Sequence, residues 1–385
     1  MEKDIPLLLS SINTEKLTAI IQKSLGRASV QVQEWQKTQP GGNAGNPVSA
    51  GLYRFAGSGH DGDETINWSV ILKIMQSPAN IGWENMGEGE DQSHWNYWKR
   101  EFLIYQSGLL QKLPDGLVAP RCYEAAELPG NIALLWLEDI HDSYPEGWPL
   151  ERYTLTARHL GRLNGMSLSA LPAVSWLSKN RTRQWASGMP HQHTLPWDHP
   201  RVLKRYPKAD QNSFRRMIAE SRKFLEKLDT LPQTVFHGDT YPTNFMSRRL
   251  ADGQELTVGL DWALMGLGPL GDDLGQLVYG AQNNLPAIDP RQITEILFES
   301  YLTGLRDAGC RFDPQQVRFG FAASGALRVG LFQVYLLGES LKQNDKLPED
   351  SVGHETGAEC FEVAMANEAY RHLDSKKKKK SVSFA

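Results

Sequence analysis

A change in the spacing of apolar residues near position 138 constrains the fold of this chain more than any other feature. Before it, apolar and polar residues alternate in short runs, which is the pattern of half-buried strands. After it, apolar residues recur every three or four positions over long stretches, which is typical of amphipathic helices. Strands followed by helices predict an α+β protein with two lobes and a cleft between them.

The first half of the chain contains five strand-like runs, and the second half contains five helical ones. The strands are predicted at 30–35, 51–55, 68–75, 118–124 and 132–137, with a turn at 57–63 and a helix at 95–110. The sheet is expected to be antiparallel. The helices are predicted at about 150–169, 211–229, 291–309, 313–340 and 355–373. The resulting segments are a helical extension at 1–27, a sheet lobe at 28–138, a helical lobe at 139–374 and a disordered basic tail at 375–385.

Charge and cysteine content exclude several classes of protein. The net charge of −4 includes five lysines at 376–380, and without them 36 basic residues face 45 acidic ones, a charge of −9. Such a body has no nucleic-acid-binding footprint. The cysteines Cys122, Cys310 and Cys360 are too widely spaced to indicate a zinc site or a disulfide framework. Without a signal peptide or an apolar run of membrane-spanning length, we expect a cytoplasmic protein that does not enter the membrane; its oligomeric state is not predicted.

The segment 237–244, with the sequence HGDTYPTN, carries the strongest chemical signal. Asp239 and Asn244 have the D-x-x-x-x-N spacing of the protein-kinase catalytic loop, and Asp261 follows. Asn244 and Asp261 are candidate ligands of Mg2+, which prefers oxygen atoms. Asp239 is a candidate base that accepts a proton from an attacking hydroxyl. The alternative is a surface hairpin with ordinary turn aspartates and a structural His237.

A hairpin is predicted between Asn244 and Asp261. The dipeptide Asp252-Gly253 lies between two strand-like runs and favours a two-residue turn. If these two residues form the turn, Asn244 lies directly opposite Asp261. Opposed side chains have Cβ atoms roughly 4.5–5.5 Å apart, so both could bind one metal ion.

A lysine and a glutamate form a second candidate group. Lys73 lies on the third predicted strand and Glu101 on the helix that follows, which is the order used to hold nucleotide phosphates through an ion pair. Lys73 could instead be an exposed edge residue, and Glu101 could pair with Arg100. The preceding glycine-rich segment at 41–46 lies where a phosphate-covering turn is expected, and its candidate binding residues are Gly42, Asn43 and Gly45. It matches neither G-x-G-x-x-G nor G-x-x-x-x-G-K-[ST].

The order of these features resembles the aminoglycoside phosphotransferase and choline kinase-like superfamily over roughly residues 28–340. Three further stretches add to the resemblance: 134–140 is similar to the hinge between lobes, 157–164 to the first long helix of the C-terminal lobe, and 268–274 to the segment after the second metal ligand. The resemblance implies a protein kinase-like fold, with a five-stranded antiparallel sheet and one helix in the N-terminal lobe and a mainly helical C-terminal lobe.

The same resemblance implies an ATP- and Mg2+-dependent phosphotransferase that acts on a hydroxyl group of a small molecule. Its implied site residues are Asp239 as catalytic base, Asn244 and Asp261 as metal ligands, Lys73 held by Glu101 at the phosphates, and Leu137 and Glu138 at the adenine-binding hinge. His237 would buttress the loop. Many members have histidine where this chain has Tyr241 and Asn164, and Trp262-Ala263 replaces the Phe-Gly of protein kinases. None of these departures removes a charge that the reaction needs.

The acceptor is predicted from the charge of an insert at 171–210. Seven basic residues there face only Asp198 and Asp210, among four large aromatics, Trp176, Trp185, Trp197 and Tyr206; the basic residues are Lys179, Arg181, Arg183, Arg201, Lys204, Arg205 and Lys208. A basic wall would repel a polycationic aminoglycoside, so a neutral or anionic acceptor is expected. Alternatively, these bases face solvent and the tryptophans are core. Asp272, Asp273 and Glu339 could still supply an acidic pocket. An aminoglycoside kinase and a non-catalytic nucleotide-binding protein are the alternative functions.

Overall fold

The computed structural model of the chain describes residues 4–40, 48–81, 89–166, 174–190, 192–342 and 360–381, with the backbone alone for 374–381. Its α+β fold has a sheet lobe followed by a mainly helical lobe, as expected from the change of pattern. The strands, in chain order, are β1 (Gln31–Thr38), β2 (Ser49–Asp61), β3 (Glu64–Gln76), β4 (Leu117–Val118), β5 (Cys122–Leu128), β6 (Ile132–Glu138), β7 (Ser178–Lys179), β8 (Gln233–Phe236), β9 (Phe245–Arg249), β10 (Glu255–Gly259) and β11 (Gly266–Pro269).

The helices, again in chain order, are α1 (Asp4–Ser11), α2 (Thr14–Leu25), α3 (Arg100–Gln106), α4 (Leu150–Asn164), α5 (Arg181–Gly188), α6 (Pro200–Arg205), α7 (Gln211–Ala219), α8 (Ser221–Asp229), α9 (Leu274–Asn284), α10 (Pro290–Asp307), α11 (Pro314–Lys342) and α12 (Phe361–Ser381).

Five strands form the antiparallel sheet of the first lobe in the order β1-β2-β3-β6-β5. Helix α2 covers one face through Leu17, Ile20 and Ile21, which are fully buried, and each gains roughly 1.5–3 kcal/mol from that burial. Helix α3 covers the other face. Because both faces are covered, β6 is apolar at every position from Ile132 to Leu137 rather than alternating.

The sheet lobe departs most from the prediction at the turn expected at 57–63 and at the strand expected at 118–124. The turn expected at 57–63 is limited to Gly62 and Asp63, since β2 continues through Gly57 to Asp61. Gly57 serves close packing instead: a Cβ there would lie 1.9 Å from the carbonyl oxygen of Glu34 on β1. The single strand expected at 118–124 is divided between two sheets, because Pro120 lacks the N–H needed to continue a ladder.

The second lobe is built around α11, in which 19 of the 29 residues are buried. This helix is long and apolar enough to cross a membrane, but 83% of its most apolar window is buried inside the protein, as in a core helix. The expected helix at 211–229 is interrupted at Glu220 and forms α7 and α8. Helix α12 extends to Ser381, so its backbone is helical in part of the segment expected to be a disordered tail. Lysine is a good helix former and extends a helix already anchored by packing.

Candidate active site

The hairpin of β9 and β10 carries Asn244 and Asp261 at its open end. The register pairs Phe245 with Gly259, and the N–H of Leu260 donates to the carbonyl oxygen of Asn244 at 2.8 Å. The prediction that Asn244 lies opposite Asp261 is therefore wrong by one residue. Asp261 instead leaves the strand in a left-handed conformation, with φ +50° and ψ 66°. This conformation costs a non-glycine residue about 1–2 kcal/mol and turns Asp261 out of the ladder.

The turn of this hairpin explains the shift in register. Leu250 donates its N–H to the carbonyl oxygen of Gln254 at 2.8 Å and accepts the N–H of Gly253 at 3.0 Å. Gly253 has φ +85°. This is a three-residue loop with a left-handed glycine at its end, not the two-residue turn that Asp252-Gly253 suggested. One extra loop residue moves every pair of the hairpin by one position.

Lys73 joins the sheet lobe to Asp261. Its Nζ lies 2.5 Å from Oε2 of Glu101 and 3.1 Å from Oδ1 of Asp261, so the predicted pair with Glu101 is present. Burial by itself lowers the pKa of Lys73, but the Asp261 and Glu101 carboxylates more than offset this effect and raise it. Burial raises the pKa of Glu101, and Lys73 opposes that rise. Oε1 of Glu101 also accepts the N–H of Trp262 at 3.3 Å, which holds the chain just after Asp261.

Arg100 does not compete for Glu101. It is fully buried, and burial lowers its pKa to about 10. Among the described residues, its guanidinium donates to backbone oxygens of segments around the site, namely those of Gln92 (3.3 Å), His94 (2.5 Å), Trp95 (2.7 Å), Trp176 (2.6 Å) and Ala263 (3.1 Å). Arg100 therefore ties the start of α3 to the insert and to the residues after Asp261. Its use of the carbonyls at 92–95 also explains why the helix predicted from 95 begins only at Arg100.

Asp239 lies half-buried with both carboxylate oxygens bound. Nδ2 of Asn244 donates to Oδ2 at 2.9 Å and to the Asp239 carbonyl oxygen at 3.0 Å, and Nε2 of Gln276 donates to Oδ1 at 3.3 Å. Burial raises the pKa of Asp239, Arg181 lowers it, and Asp261 raises it, with a net increase. A carboxylate with a raised pKa, facing both a cation and a second carboxylate, is suited to accept a proton.

His237 has a structural position. Its Nδ1 accepts the N–H of Asp239 at 3.2 Å, so the ring proton is on Nε2, which donates to the carbonyl oxygen of Leu260 at 2.8 Å. The ring packs against Trp262 with centroids 4.5 Å apart. Burial lowers the pKa of His237, so the ring is neutral and links the Asp239 loop to the hairpin.

Asp273 holds the same loop from the other side, a position that was not predicted from the sequence. It accepts the N–H groups of His237 and Gly238, and Nδ2 of Asn164 donates to it at 3.0 Å. Asn164, which stands where many superfamily members have histidine, in turn accepts the hydroxyl of Tyr301 at 2.5 Å. The available signal was the resemblance of the stretch 268–274 to a family segment, but the loop that Asp273 holds lies more than thirty positions away in sequence.

The alternative acidic pocket of Asp272, Asp273 and Glu339 would need free carboxylates, and in the structure all three are engaged by other groups. Asp272 is ion-paired with Arg328 and accepts the hydroxyl of Thr182, while Asp273 is occupied by the loop. Glu339 pairs with Lys342 at 3.1 Å.

The basic residues of the insert are divided between several environments. Arg183 pairs with Asp229, Lys208 with Asp198 at 3.2 Å, and Arg205 with the buried Glu362 at 2.8 Å. Of these seven residues, Arg181 is the one whose positive charge lowers the pKa of Asp239 among the described residues. The basic wall expected from the sequence is thus reduced to one buried arginine beside Asp239. Of the aromatics, Tyr206 is buried, whereas the three tryptophans, which the alternative placed in the core, are partly exposed.

The hinge residues Leu137 and Glu138 lie at the end of β6. Leu137 pairs with Ile71 and Cys122 on both neighbouring strands, and the N–H of Glu138 donates to the carbonyl oxygen of Arg121 at 2.8 Å. Gly42, Asn43 and Gly45 lie outside the described residues.

Comparison with known proteins identifies the family. A family model described as the phosphotransferase enzyme family matches residues 119–319, just over half of the chain. No curated protein matches. Similar solved structures include the amicoumacin kinase hAmiN in complex with AMP-PNP, Ca2+ and Ami (15% identity, 94% of this chain and 96% of that chain covered, TM-score 0.47) and the choline kinase LicA from Streptococcus pneumoniae (15%, 94% and 99%, 0.46). A further one is the GDP complex of aminoglycoside 2'-phosphotransferase-IIIa (13%, 96% and 100%, 0.48). By its match to the family model, the chain belongs to the phosphotransferase enzyme family.

Proposed function

We propose that this protein is an ATP- and Mg2+-dependent kinase that transfers the γ-phosphoryl group of ATP to a hydroxyl group of a small molecule in the cytoplasm. The observation that carries this proposal is the position of Lys73, which contacts both Glu101 and Asp261 across the two lobes. A buried, charged lysine in that position can bind nucleotide phosphates, and Asp261 connects it to the loop of Asp239.

Asp239 is the base in this proposal. Asn244 and Gln276 fix its carboxylate, so that it can accept a hydrogen bond from the acceptor hydroxyl. As the hydroxyl oxygen forms its bond to the γ-phosphorus, its proton passes to Asp239, and ADP leaves with the electrons of the broken P–O bond. Lys73 stabilises the negative charge on the phosphate oxygens.

The residues present fit a magnesium ion. Because Asp239 takes the amide N–H groups of Asn244, the amide oxygen of Asn244 is left as an acceptor for a cation. Asp261 keeps 43% of its side chain exposed and uses Oδ1 for Lys73. One amide oxygen and one carboxylate, completed by phosphate and water oxygens, suit Mg2+. When bound, Mg2+ would neutralise part of the phosphate charge.

The remaining nucleotide contacts are assigned to the hinge and the glycine-rich segment. Since the N–H of Glu138 is already bonded to Arg121, the adenine-binding backbone groups near Leu137 and Glu138 are expected just after the strand. Gly42, Asn43 and Gly45 are proposed to cover the phosphates. We place the boundary between the lobes after Glu138, with the N-terminal lobe at 28–138 and the C-terminal lobe at 139–374.

The acceptor is proposed to be neutral or anionic. A polycationic aminoglycoside would require free carboxylates near Asp239, whereas Asp272 and Asp273 are both engaged inside the protein. A non-catalytic nucleotide-binding protein would not need Asp239 held by two amide donors.

The test is release of ADP from Mg·ATP with pooled neutral, anionic and cationic hydroxyl compounds, with Asp239→Asn as the control. Release that depends on one pool and disappears in the variant supports the kinase and identifies its acceptor class. Binding of Mg·ATP without release from any pool would contradict the proposed activity.

A further inference from the structure

Arg181 is a buried cation, and two of its guanidinium nitrogens have no hydrogen-bonding partner among the described residues. It is the first residue of α5, and only 3% of its surface is exposed. Its Nε and Nη1 are buried without a hydrogen bond from any residue that the structure describes. A buried charge without hydrogen bonds costs on the order of several kcal/mol unless an opposite charge lies close to it. Such a cation beside a candidate base is a candidate ligand-binding group.

The carboxylates nearest to Arg181 are all used by other groups. Arg181 interacts electrostatically with the carboxylates of Asp239, Asp272 and Asp273. Asp239 is bound by Asn244 and Gln276, Asp272 is paired with Arg328, and Asp273 accepts two backbone N–H groups. These carboxylates thus surround Arg181 with negative potential, which favours its charged form, and none of them forms a direct ion pair with it.

Two tryptophans hold the guanidinium in place. The guanidinium carbon lies 5.9 Å from the ring centroid of Trp95 and 5.7 Å from that of Trp185, and the two rings meet edge to face at 5.2 Å. Trp95 is fixed because its backbone N–H donates to Oε1 of Gln184 and its carbonyl oxygen accepts a hydrogen bond from Nη1 of Arg100. Nε1 of Trp185 donates to the carbonyl oxygen of Arg328 at 3.2 Å. Contact through the ring faces leaves the in-plane N–H groups unused by the two tryptophans.

The position of Arg181 favours the acceptor over the nucleotide as the source of that anion. The groups assigned to the ATP phosphates, Lys73 and Asp261, belong to the sheet lobe and the hairpin. Arg181 belongs to the insert of the helical lobe and acts on Asp239 rather than on Lys73. Phe332 extends the aromatic surface from Trp185, with ring centroids 6.1 Å apart, and all three aromatic side chains are partly exposed.

We propose that Arg181 binds an oxyanion of the acceptor, either a carboxylate or a phosphate ester, while Trp95 and Trp185 contact its apolar part. This inference rests on the proposed kinase function and names the acceptor class: an anionic hydroxyl compound. Arg181 would be the residue that selects for charge, since an amine would meet its like charge and a neutral compound would leave it unpaired.

The test uses compounds that share a phenyl ring and a hydroxyl but differ in charge: 3-phenyllactate, its amide, and phenylalaninol. Binding to the full chain without nucleotide is followed by tryptophan fluorescence and calorimetry. Wild type is expected to bind 3-phenyllactate at least tenfold more tightly than the other two, and Arg181→Gln to lose this preference. Glycerol 3-phosphate against glycerol provides the phosphate-ester arm. The control is Arg183→Gln, which should keep the preference. Arg183 lies on the same helix as Arg181, and it is a surface arginine paired with Asp229 of α8.

The proposal is overturned if wild type prefers neither anion, or if Arg181→Gln keeps the preference. If Arg181→Gln does not fold, Arg181→Lys carries the test: anion affinity should fall at least threefold and amide affinity should not change, and an unchanged anion affinity overturns the proposal. Either variant could instead bind Mg·ATP more weakly, with unchanged Mg·ADP binding and unchanged acceptor preference. This result would show that Arg181 binds the γ-phosphate rather than the acceptor, and it would overturn the proposal as well. ADP release with cationic compounds only would contradict this inference but not the proposed kinase function. Anion preference without any ADP release would contradict the kinase alone.

Discussion

Asp273 accepts the backbone N–H of Gly238 at 3.0 Å, and its second oxygen accepts the N–H of His237 at 2.8 Å. The carboxylate is fully buried at the start of α9, and it fixes the backbone that precedes Asp239. The geometry of the candidate base thus depends on a residue that has no place in the proposed chemistry. This dependence makes the loop sensitive to a change more than thirty positions away in sequence.

We expect Asp273→Ala to destabilise the protein and to abolish activity. The substitution leaves two buried N–H groups without acceptors, and each costs about 1–3 kcal/mol. Urea unfolding at pH 7 measures the effect, and Asp273→Asn, which keeps one acceptor oxygen, should lose less. A free energy of unfolding within about 1 kcal/mol of wild type would show that the loop does not depend on this carboxylate.

Asp239→Asn is expected to abolish transfer while leaving the protein at least as stable as wild type at pH 7. Burial raises the folded pKa of Asp239 above its unfolded value, so at pH values above both, the charged carboxylate favours the unfolded chain. Asparagine removes that penalty. Thermal unfolding between pH 4 and 8 should show the advantage of the variant shrinking as pH falls through the pKa of Asp239. A variant that is less stable at pH 7 and equally so at low pH would contradict the raised pKa.

The activity of wild type is expected to fall on the acidic side at a higher pH than an ordinary aspartate would produce. Asp239 must be deprotonated to accept the hydroxyl proton, and its pKa is raised by burial and by Asp261. A profile of kcat/KM against pH gives the apparent pKa. A profile that is flat down to about pH 4, the value of an unperturbed aspartate, would exclude Asp239 as the base.

Asp261→Asn is expected to weaken Mg·ATP binding at least tenfold, because it removes the one carboxylate among the proposed metal ligands and a partner of Lys73. Titration of Mg2+ into the ATP-bound protein measures it. The control is Asp252→Asn, an exposed aspartate in the turn of the same hairpin. Equal Mg·ATP affinity in wild type and Asp261→Asn would contradict the assignment of Asp261 as a metal ligand.

Glu101→Gln is expected to lower kcat by one order of magnitude or more, because Lys73 loses a buried partner and Trp262 is held by a weaker acceptor. Glu127→Gln is a matched control: it breaks an exposed pair with Lys99 of similar length and should change stability by less than about 1 kcal/mol. Steady-state kinetics with both variants measures the difference. Equal kcat in the two variants would show that the Lys73–Glu101 pair does not position the nucleotide.

Features set by order along the chain were predictable. The alternation of β3 placed Lys73 on one face, and the helical spacing after it placed Glu101 on α3, so their pairing followed from the order of strand and helix. The five-stranded sheet and the helical second lobe followed from periodicity for the same reason. Strand ends were less predictable, since Gly57 is strand rather than turn only because β1 packs against it.

The arrangement around Asp239 depends on contacts between distant segments, which local patterns do not encode. The hairpin register was decided by the conformation of Gly253, and the direction of Asp261 by its own left-handed backbone. Asp273 was visible in the sequence as an acidic residue, but only its burial against the loop of His237 makes it a clamp rather than the wall of a pocket. Arg181 was one of seven basic residues in the insert, and three-dimensional packing alone placed it beside Asp239 with no hydrogen-bonding partner for Nε and Nη1 among the described residues. Periodicity and order thus specified the elements and their sequence of assembly, whereas burial and long-range hydrogen bonding specified which charges face the site.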